Sequence, residues 1–580
     1  MLIIILSWIY ISAVVYPIGL VFNNYIIRRF CPGSVPAFNF TLTCVSGLVF
    51  STFAGTTLSL FMPLSLYANL FVAAISLFLC AVNKQLIRSS ALFLKTELNS
   101  TRALAIITFI AFTFIIAYFS YEPSSHHDDG LYYSTSIKWL QEYGTVKGIA
   151  NLNVRIGYNS SWQILQALFS FPFLHAGLFN DLNGLLYLYI LLYSLGGLNR
   201  LIKNDWSFQA VLRTIFVIPM LAFHFGATSD LALFNMNFLG SSTSDLPVSM
   251  MLWFVVVMFL VETERGASTF KYSDILVVMY SVWIITMKLS AVPILLISIY
   301  ICVQVVRAKK LLRMSELATM SIIFVVPWLA RNVLLTGYLV FPFSAIDLFD
   351  VDWKVGIENA RWHENAIKAY ALGTDLNAPV TKHIKDWFLP WFQNQNYINQ
   401  VLFITSSIAT ATYIVLAIGS RFWLKKQSSY TAAIFTRRFV MTNIALVGGI
   451  IFWLNMAPDF RFGYGFLCIY CSIFVASIVT YFLEHYSPYI RYPYYIFLAF
   501  LIFQYYGKVW NLKAFVRLPL AYRLPTETSV KVMNGIPITI VKHEDAWNAP
   551  LPVANEHDLN VTNCIPRGQT IKSGFKSNPK

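Results

Sequence analysis

Residues 1–22 read MLIIILSWIYISAVVYPIGLVF, a run without a single charged side chain. As a helix it is about 30 Å long, the thickness of a bilayer's hydrocarbon core. It has no basic stretch ahead of the apolar run and no small-x-small cleavage site, so it reads as a first span and not as a secretory signal. Runs of the same kind recur along all 580 residues, of which 57% are hydrophobic and only 12% charged. The mean hydropathy is +0.61. A soluble globule could not hide that much apolar surface, and a single amphipathic anchor would not need it. Because hydrocarbon offers backbone amides no partner, the fold class expected is an all-α polytopic bundle.

The net charge of +15 does not point to nucleic acid. The basic residues fall in short clusters between apolar runs: RRF at 28, NKQLIR at 83, NRLIKND at 199, RAKKLLR at 307, RFWLKKQ at 421 and RR at 437. By the positive-inside rule these face the cytoplasm. Counting spans between them puts segments 120–161, 337–398 and 457–463 on the outer side, with the tail from 510. Two apolar runs lie between 162 and 198 where charge parity permits an odd number of crossings, so one of them is expected to lie in the interface or re-enter. Segment 224–245 is too polar for a comfortable span. Roughly eleven to thirteen helices are expected, without internal repeats.

The chain divides into a multi-spanning domain, 1–509, and a small extracytoplasmic region, 510–580. In the latter, TETSVKVMNGIPITIVK alternates apolar and polar residues around Asn534-Gly535, the pair favoured in a type I′ hairpin turn. A small β-containing cap packed on the outer loops is expected. The seven cysteines show no spacing that frames a disulfide set or a metal site.

The polar residues that stand out share the outer side: His126, His127, Asp128, Asp129, Asp245, Lys288, Arg331, Asp459 and Arg461. Ionisable groups at the ends of membrane helices are functional candidates by default. In HHDDGLYYSTSIKWLQEYG (126–144) a carboxylate can serve as general base, with one of the two aspartates facing the site and the other supporting it. A solvated acidic loop capping a helix explains the same letters. Ser244 or Asp245, just before Leu-Pro, reads equally as a helix cap. Arg331 in VPWLARNVLLTGYLVFP either binds an anion or snorkels to headgroups. In NMAPDFRFGYG, Arg461 suits a phosphate through its planar fork of donors, or it pairs with Asp459. Lys288 either neutralises the same phosphate or marks a span boundary.

These motifs resemble bacterial members of the GT-C superfamily, multi-spanning glycosyltransferases that use polyprenyl-phosphate-linked sugars. The match is to a family whose first outer loop reads approximately D-T-G-L-Y-H and then G-x-x-N-L-x-x-R-x-x-x-N-S-S. Here the positions are Asp128, Gly130, Leu131 and Tyr132, then Gly148, Asn151, Leu152, Arg155, Asn159, Ser160 and Ser161. The chain departs from the pattern at Asp129 and Tyr133, where threonine and histidine are expected. PWLARN and PDFRF are similar to later segments of the same relatives, so the resemblance covers about residues 125–465, with CIPRGQTIKSGF at 564 resembling their tail.

The resemblance implies a polyprenyl-phosphate sugar donor entering from the bilayer and a cell-envelope glycan or lipid acceptor, in a bacterial inner membrane, with inversion at the anomeric carbon. Asp128, with Asp129, would supply the base. Arg331, Arg461 and Lys288, with His126 and His127, would hold the donor phosphate, and Tyr132, Tyr158, Asn159, Asp245 and Asp459 the acceptor or sugar; Trp162 is a further candidate for stacking. No cofactor is expected, although Asp128 and Asp129 could take a divalent cation. An O-antigen polymerase or ligase and a secondary transporter are the rival readings; the transporter predicts related halves and midplane charges.

Overall fold

A computed structural model describes residues 1–31, 38–122, 124, 126–174, 181–215, 238–261, 271–377, 380, 383–423, 436–485, 492–493, 495–496, 499, 524–542, 545–556 and 563–577. The protein is mostly helical. The first helices are α1 (Leu2–Phe30), α2 (Phe40–Ser59), α3 (Leu66–Val82), α4 (Lys84–Ser100) and α5 (Ala103–Tyr121). A π-turn, Asp129–Tyr133, leads into α6 (Ser134–Glu142), followed by α7 (Ser161–Phe169), α8 (Leu182–Ile202) and α9 (Phe208–Thr214). Then come α10 (Asp245–Val261), α11 (Tyr272–Met287), α12 (Leu295–Arg307) and α13 (Leu311–Thr336). The series ends with α14 (Ile357–Leu372), α15 (Ile384–Gln393), α16 (Tyr397–Trp423), α17 (Arg437–Met456) and α18 (Phe460–His485).

Among the described residues nine helices are long and apolar enough to cross a membrane, ten if α3 and α4, which meet at 91°, count as one broken span. The helices α10 and α11 are apolar but shorter. Among the described residues of 162–198, α7 is a nine-residue helix, about 13 Å long, and α8 is the helix that reaches span length, an odd count as expected there. Of the polar segment 224–245, residues 224–237 lie outside the described residues, and 238–244 run irregularly into α10.

Why α1 and α2 pair so closely is written in two glycines. A methyl group on Gly19 would sit 1.9 Å from the Thr43 carbonyl oxygen, and one on Gly47 1.9 Å from that of Val15. Backbone meets backbone, which only glycine permits and which apolar solvent rewards through packing. One large core then joins α1, α2, α5, α7, α8, α10, α11, α17 and α18.

The helices place their polar ends in two groups. At one end Arg29 pairs with Glu316, Arg438 with Asp274 at 2.8 Å, and Lys203 donates to the Ser100 carbonyl at 3.0 Å. The opposite end gathers the segments before α6, α10, α12 and α18, and the tail rests on it. There β1 (Thr528–Met533) and β2 (Ile536–Val541) form the expected hairpin, with Asn534 and Gly535 at φ 51° and 79°, the left-handed pair that a type I′ turn demands. β3 (Val553–Asn555) adds parallel to β2, and β4 (Cys564–Pro566) pairs antiparallel with β5 (Phe575–Ser577). The buried face of β2, Ile536, Ile538 and Ile540, packs with Trp139, Ile149, Leu152 and Leu335. The small sheet has little core of its own and takes one from the loops beneath it.

Candidate functional site

The segments at the tail-bearing end bring together most of the singled-out polar side chains. α18 starts where Asp459 caps it: the Asp459 carboxylate accepts from the Arg461 amide at 2.9 Å. The turn itself is pinned by two indoles, Trp391 donating to Pro458 O at 3.1 Å and Trp453 to Asp459 O at 2.7 Å. From this first turn the Arg461 guanidinium donates through Nε and Nη2 to Asp459 Oδ2, at 3.0 and 2.9 Å. Its Nη1 reaches Asp128 Oδ2 at 3.4 Å and His126 Nε2 at 3.2 Å. The Asp459–Arg461 pair and the convergence on Asp128 are therefore both present.

Asp128 and Asp129 diverge. Asp129 is fully buried, accepting from the Ser242 amide at 3.0 Å and from the hydroxyls of Ser242 and Ser124. It ties the first loop to the segment before α10 and has no side facing water. Asp128 keeps 22% of its side chain exposed, beside the 10% of Arg461. Burial pushes the Asp128 carboxyl up, but Arg461, His126 and Lys288 together outweigh it and hold it below its ordinary range. The group is ionised at neutral pH.

His126 is wholly buried, and burial, helped by Arg461, lowers its pKa against the pull of Asp128. Its Nδ1 receives the Asp128 amide at 3.2 Å. Both ring nitrogens thus face N–H donors, which disfavours the imidazolium. His127 points elsewhere, half-exposed and 3.5 Å from Asp545 of the tail.

Lys288 stands at the break after α11 and pairs with the buried Asp245 carboxylate, its ammonium 3.7 Å from the centre of the Phe462 ring. Asp245 is the first residue of α10, so the cap position falls to Ser244, whose carbonyl accepts from the Val248 amide at 3.0 Å. The four carboxylates Asp128, Asp129, Asp245 and Asp459 face two cations, Arg461 and Lys288, so the cluster is net acidic, with Asp129 quieted by hydrogen bonds. Among the described residues no group of three or more His, Cys, Asp or Glu side chains is arranged to hold a metal ion.

Arg331 is placed apart. It is buried, donates to the Asn159 side chain and reaches Thr145 Oγ1 at 3.3 Å. No carboxylate pairs with it among the described residues, and it does not snorkel. Asn159, at φ 49°, donates in turn to Trp328 O at 3.0 Å and Asn332 Oδ1 at 2.7 Å. The link back to the cluster is aromatic: Tyr158 meets Tyr132 at 5.7 Å, and Tyr132 meets Tyr133 at 4.3 Å. Burial drives both phenols at 132 and 133 far up, so they stay protonated. Trp162, expected among the sugar-facing aromatics, is instead fully buried, with its indole on Asn183 Oδ1 at 2.7 Å; it belongs to the core because α7 is enclosed on every side.

Sequence reading missed three neighbours. Tyr370 of α14, 58% exposed, lies over Arg461 at 5.9 Å. Ser242 fixes Asp129. Trp547 of the tail donates its amide to Gly130 O at 2.9 Å and accepts from Ser134 Oγ at 3.0 Å, and a methyl group on Gly130 would come within 2.4 Å of its ring. Lys138 adds a bond to Ala549 O at 2.9 Å. The glycine of D-D-G-L-Y is thus required by a contact 417 residues away in the chain (547 minus 130), and no local signal announces it. No curated protein and no solved structure matches the chain. The model of a family described as a domain of unknown function, DUF8201, matches residues 1–468, which hold α1 to α17, the first turns of α18 and the whole acidic and basic cluster, and the chain belongs to that family.

Proposed function

We propose that this protein is a membrane glycosyltransferase that moves a sugar from a polyprenyl-phosphate donor to a glycan or lipid acceptor of the bacterial cell envelope, on the extracytoplasmic face. The observation that carries the reading is the position of Asp128: an ionised, partly open carboxylate 3.4 Å from a guanidinium, at the tail-bearing end of the apolar bundle. Asp128 takes the acceptor hydroxyl's proton as that oxygen attacks the anomeric carbon. The bond to the phosphate oxygen breaks, and polyprenyl phosphate leaves with the electron pair. Arg461 and Lys288 stabilise the charge that grows on the phosphate. Both cations already hold carboxylates, so a donor phosphate must share them; loosening Arg461 from Asp128 raises the proton affinity of the base only once donor is bound. Arg331 braces the Asn159 turn and, through Tyr158 and Tyr132, the wall of the site. Tyr370, exposed over Arg461, offers a face for a sugar ring.

The test uses the full chain in proteoliposomes supplied with membrane lipid extract containing polyprenyl-phosphate sugars, with release of free polyprenyl phosphate as the readout. Release by the parent protein, and loss of at least about a hundredfold in Asp128→Asn with unchanged unfolding temperature, supports the reading. Equal turnover in Asp128→Asn defeats it.

A further inference from the structure

Between α3 and α5 the chain makes no tight return. α3 and α4 meet at 91° across Asn83, so α4 runs perpendicular to α3, and its last residue and the turn after it contact Lys203 and Asn199, at the end that carries Arg29 and Arg438. α4 is fixed there at several points. The Ser90 hydroxyl, the one buried side chain of the helix, bonds to that of Tyr16. Phe93 meets Phe38 at 5.8 Å. At the far end Lys203 donates to Ser100 O at 3.0 Å, and the Arg102 amide donates to Asn199 Oδ1 at 3.0 Å.

The sequence KQLIRSSALFLKTELNS sorts its side chains around the axis. At 3.6 residues per turn, Ile87, Ala91, Leu94 and Leu98 fall within an arc of about 60°, and Lys84, Arg88 and Lys95 within the adjoining arc of about 40°. Asn99, Leu92, Gln85, Thr96 and Ser89 come next, and Phe93 and Leu86 lie opposite the cations, on the far side of the buried Ser90. The three cations are exposed, and none enters an ion pair among the described residues, whereas other basic residues at the same end do.

We propose that α4 is an interfacial helix whose Lys84, Arg88 and Lys95 bind the anionic headgroups of the leaflet on which it lies. A helix perpendicular to α3, where α3 runs with the spans, lies in the membrane plane. Its apolar arc then enters the acyl boundary, and cations immediately beside that arc sit at headgroup height, where their stems stay apolar and their charges meet phosphate. The same three residues set on the opposite face would point into water and bind nothing. The inference is independent of the glycosyl-transfer reading.

Purified full-length protein in micelles holding equal phosphatidylglycerol and phosphatidylcholine provides the test, with retained lipids counted by native mass spectrometry. The parent protein should retain phosphatidylglycerol preferentially at low salt, each cation strengthening retention roughly fivefold, and the preference should shrink at about 0.5 M salt. Lys84→Gln/Arg88→Gln/Lys95→Gln should abolish it. Arg307→Gln/Lys309→Gln/Lys310→Gln, which removes equal charge from another turn at the same end, should leave it intact. No preference in the parent, a preference indifferent to salt, persistence in the α4 variant, or equal loss in both variants each overturns the proposal; the first two need no variant to fold.

Discussion

Removing the Arg461 side chain should strand two carboxylates. In Arg461→Met the stem's packing is largely kept, while the bonds to Asp459 at 2.9 and 3.0 Å and to Asp128 at 3.4 Å vanish. Breaking a buried ion pair costs about 3–5 kcal/mol. Here Asp459 and Asp128 keep 18% and 22% exposure, so water offsets part of the loss and about 2–3 kcal/mol remains. Unfolding of the detergent-solubilised protein can be followed by thiol labelling, because Cys44, Cys468, Cys471 and Cys564 are free and buried. The loss should depend on pH in a definite direction. In the parent, Asp128 titrates below its unfolded value, so its stabilisation is present above about pH 4 and fades only as pH falls through the lower folded value. In Arg461→Met burial acts with its main opponent gone and moves the folded value up. The penalty is then full at pH 8 and relieved as pH falls toward 5. Asp459→Asn added to Arg461→Met should recover part of the loss at pH 8. An Arg461→Met protein as stable as the parent at pH 8, or one more destabilised at pH 5, refutes this account of the cluster.

Other expectations concern the loop, its braces and the base. Gly130→Ala should cost about 1–3 kcal/mol by overpacking against Trp547, and Trp547→Ala should remove that extra cost; additivity of the two in the labelling assay counts against the contact. Asn159→Ala should cost about 2–4 kcal/mol, since it leaves the buried Arg331 short of an acceptor and puts alanine at φ 49°; a change under about 0.5 kcal/mol contradicts the bracing role. Arg567→Ala should cost no more than about 1 kcal/mol although both its bonds to Asp352 are 2.9 Å long, because Asp352 is about half-exposed. If Asp128 is the base, the acid limb of kcat/KM lies below about pH 4 and that of kcat lies higher, where donor phosphate competes for Arg461; coincident limbs would show that donor binding leaves the Asp128–Arg461 pair untouched.

Composition and hydropathy alone determined that this is a multi-spanning helical protein, because a run such as residues 1–22 has one low-energy backbone in hydrocarbon. Local chemistry also determined the hairpin at Asn534-Gly535 and the polar character of 126–144, since a left-handed turn and an acidic loop are properties of a few adjacent residues. The separation of roles inside the site was not local. Asp128 and Asp129 are the same residue type side by side, and which one stays open is decided by Ser242 and Arg461, 113 and 333 positions away. Lys288 reads as a phosphate partner or a boundary marker and Asp245 as a site residue or a helix cap, until packing of α10 against α11 makes them partners. Trp162 and Tyr132 look alike as aromatics in a polar stretch; only the enclosure of α7 sends one to the core and leaves the other at the wall. Hydrophobic content and turn geometry act over a few residues and are legible in order of sequence, whereas charge pairing and burial depend on distances in space that only the tertiary structure sets.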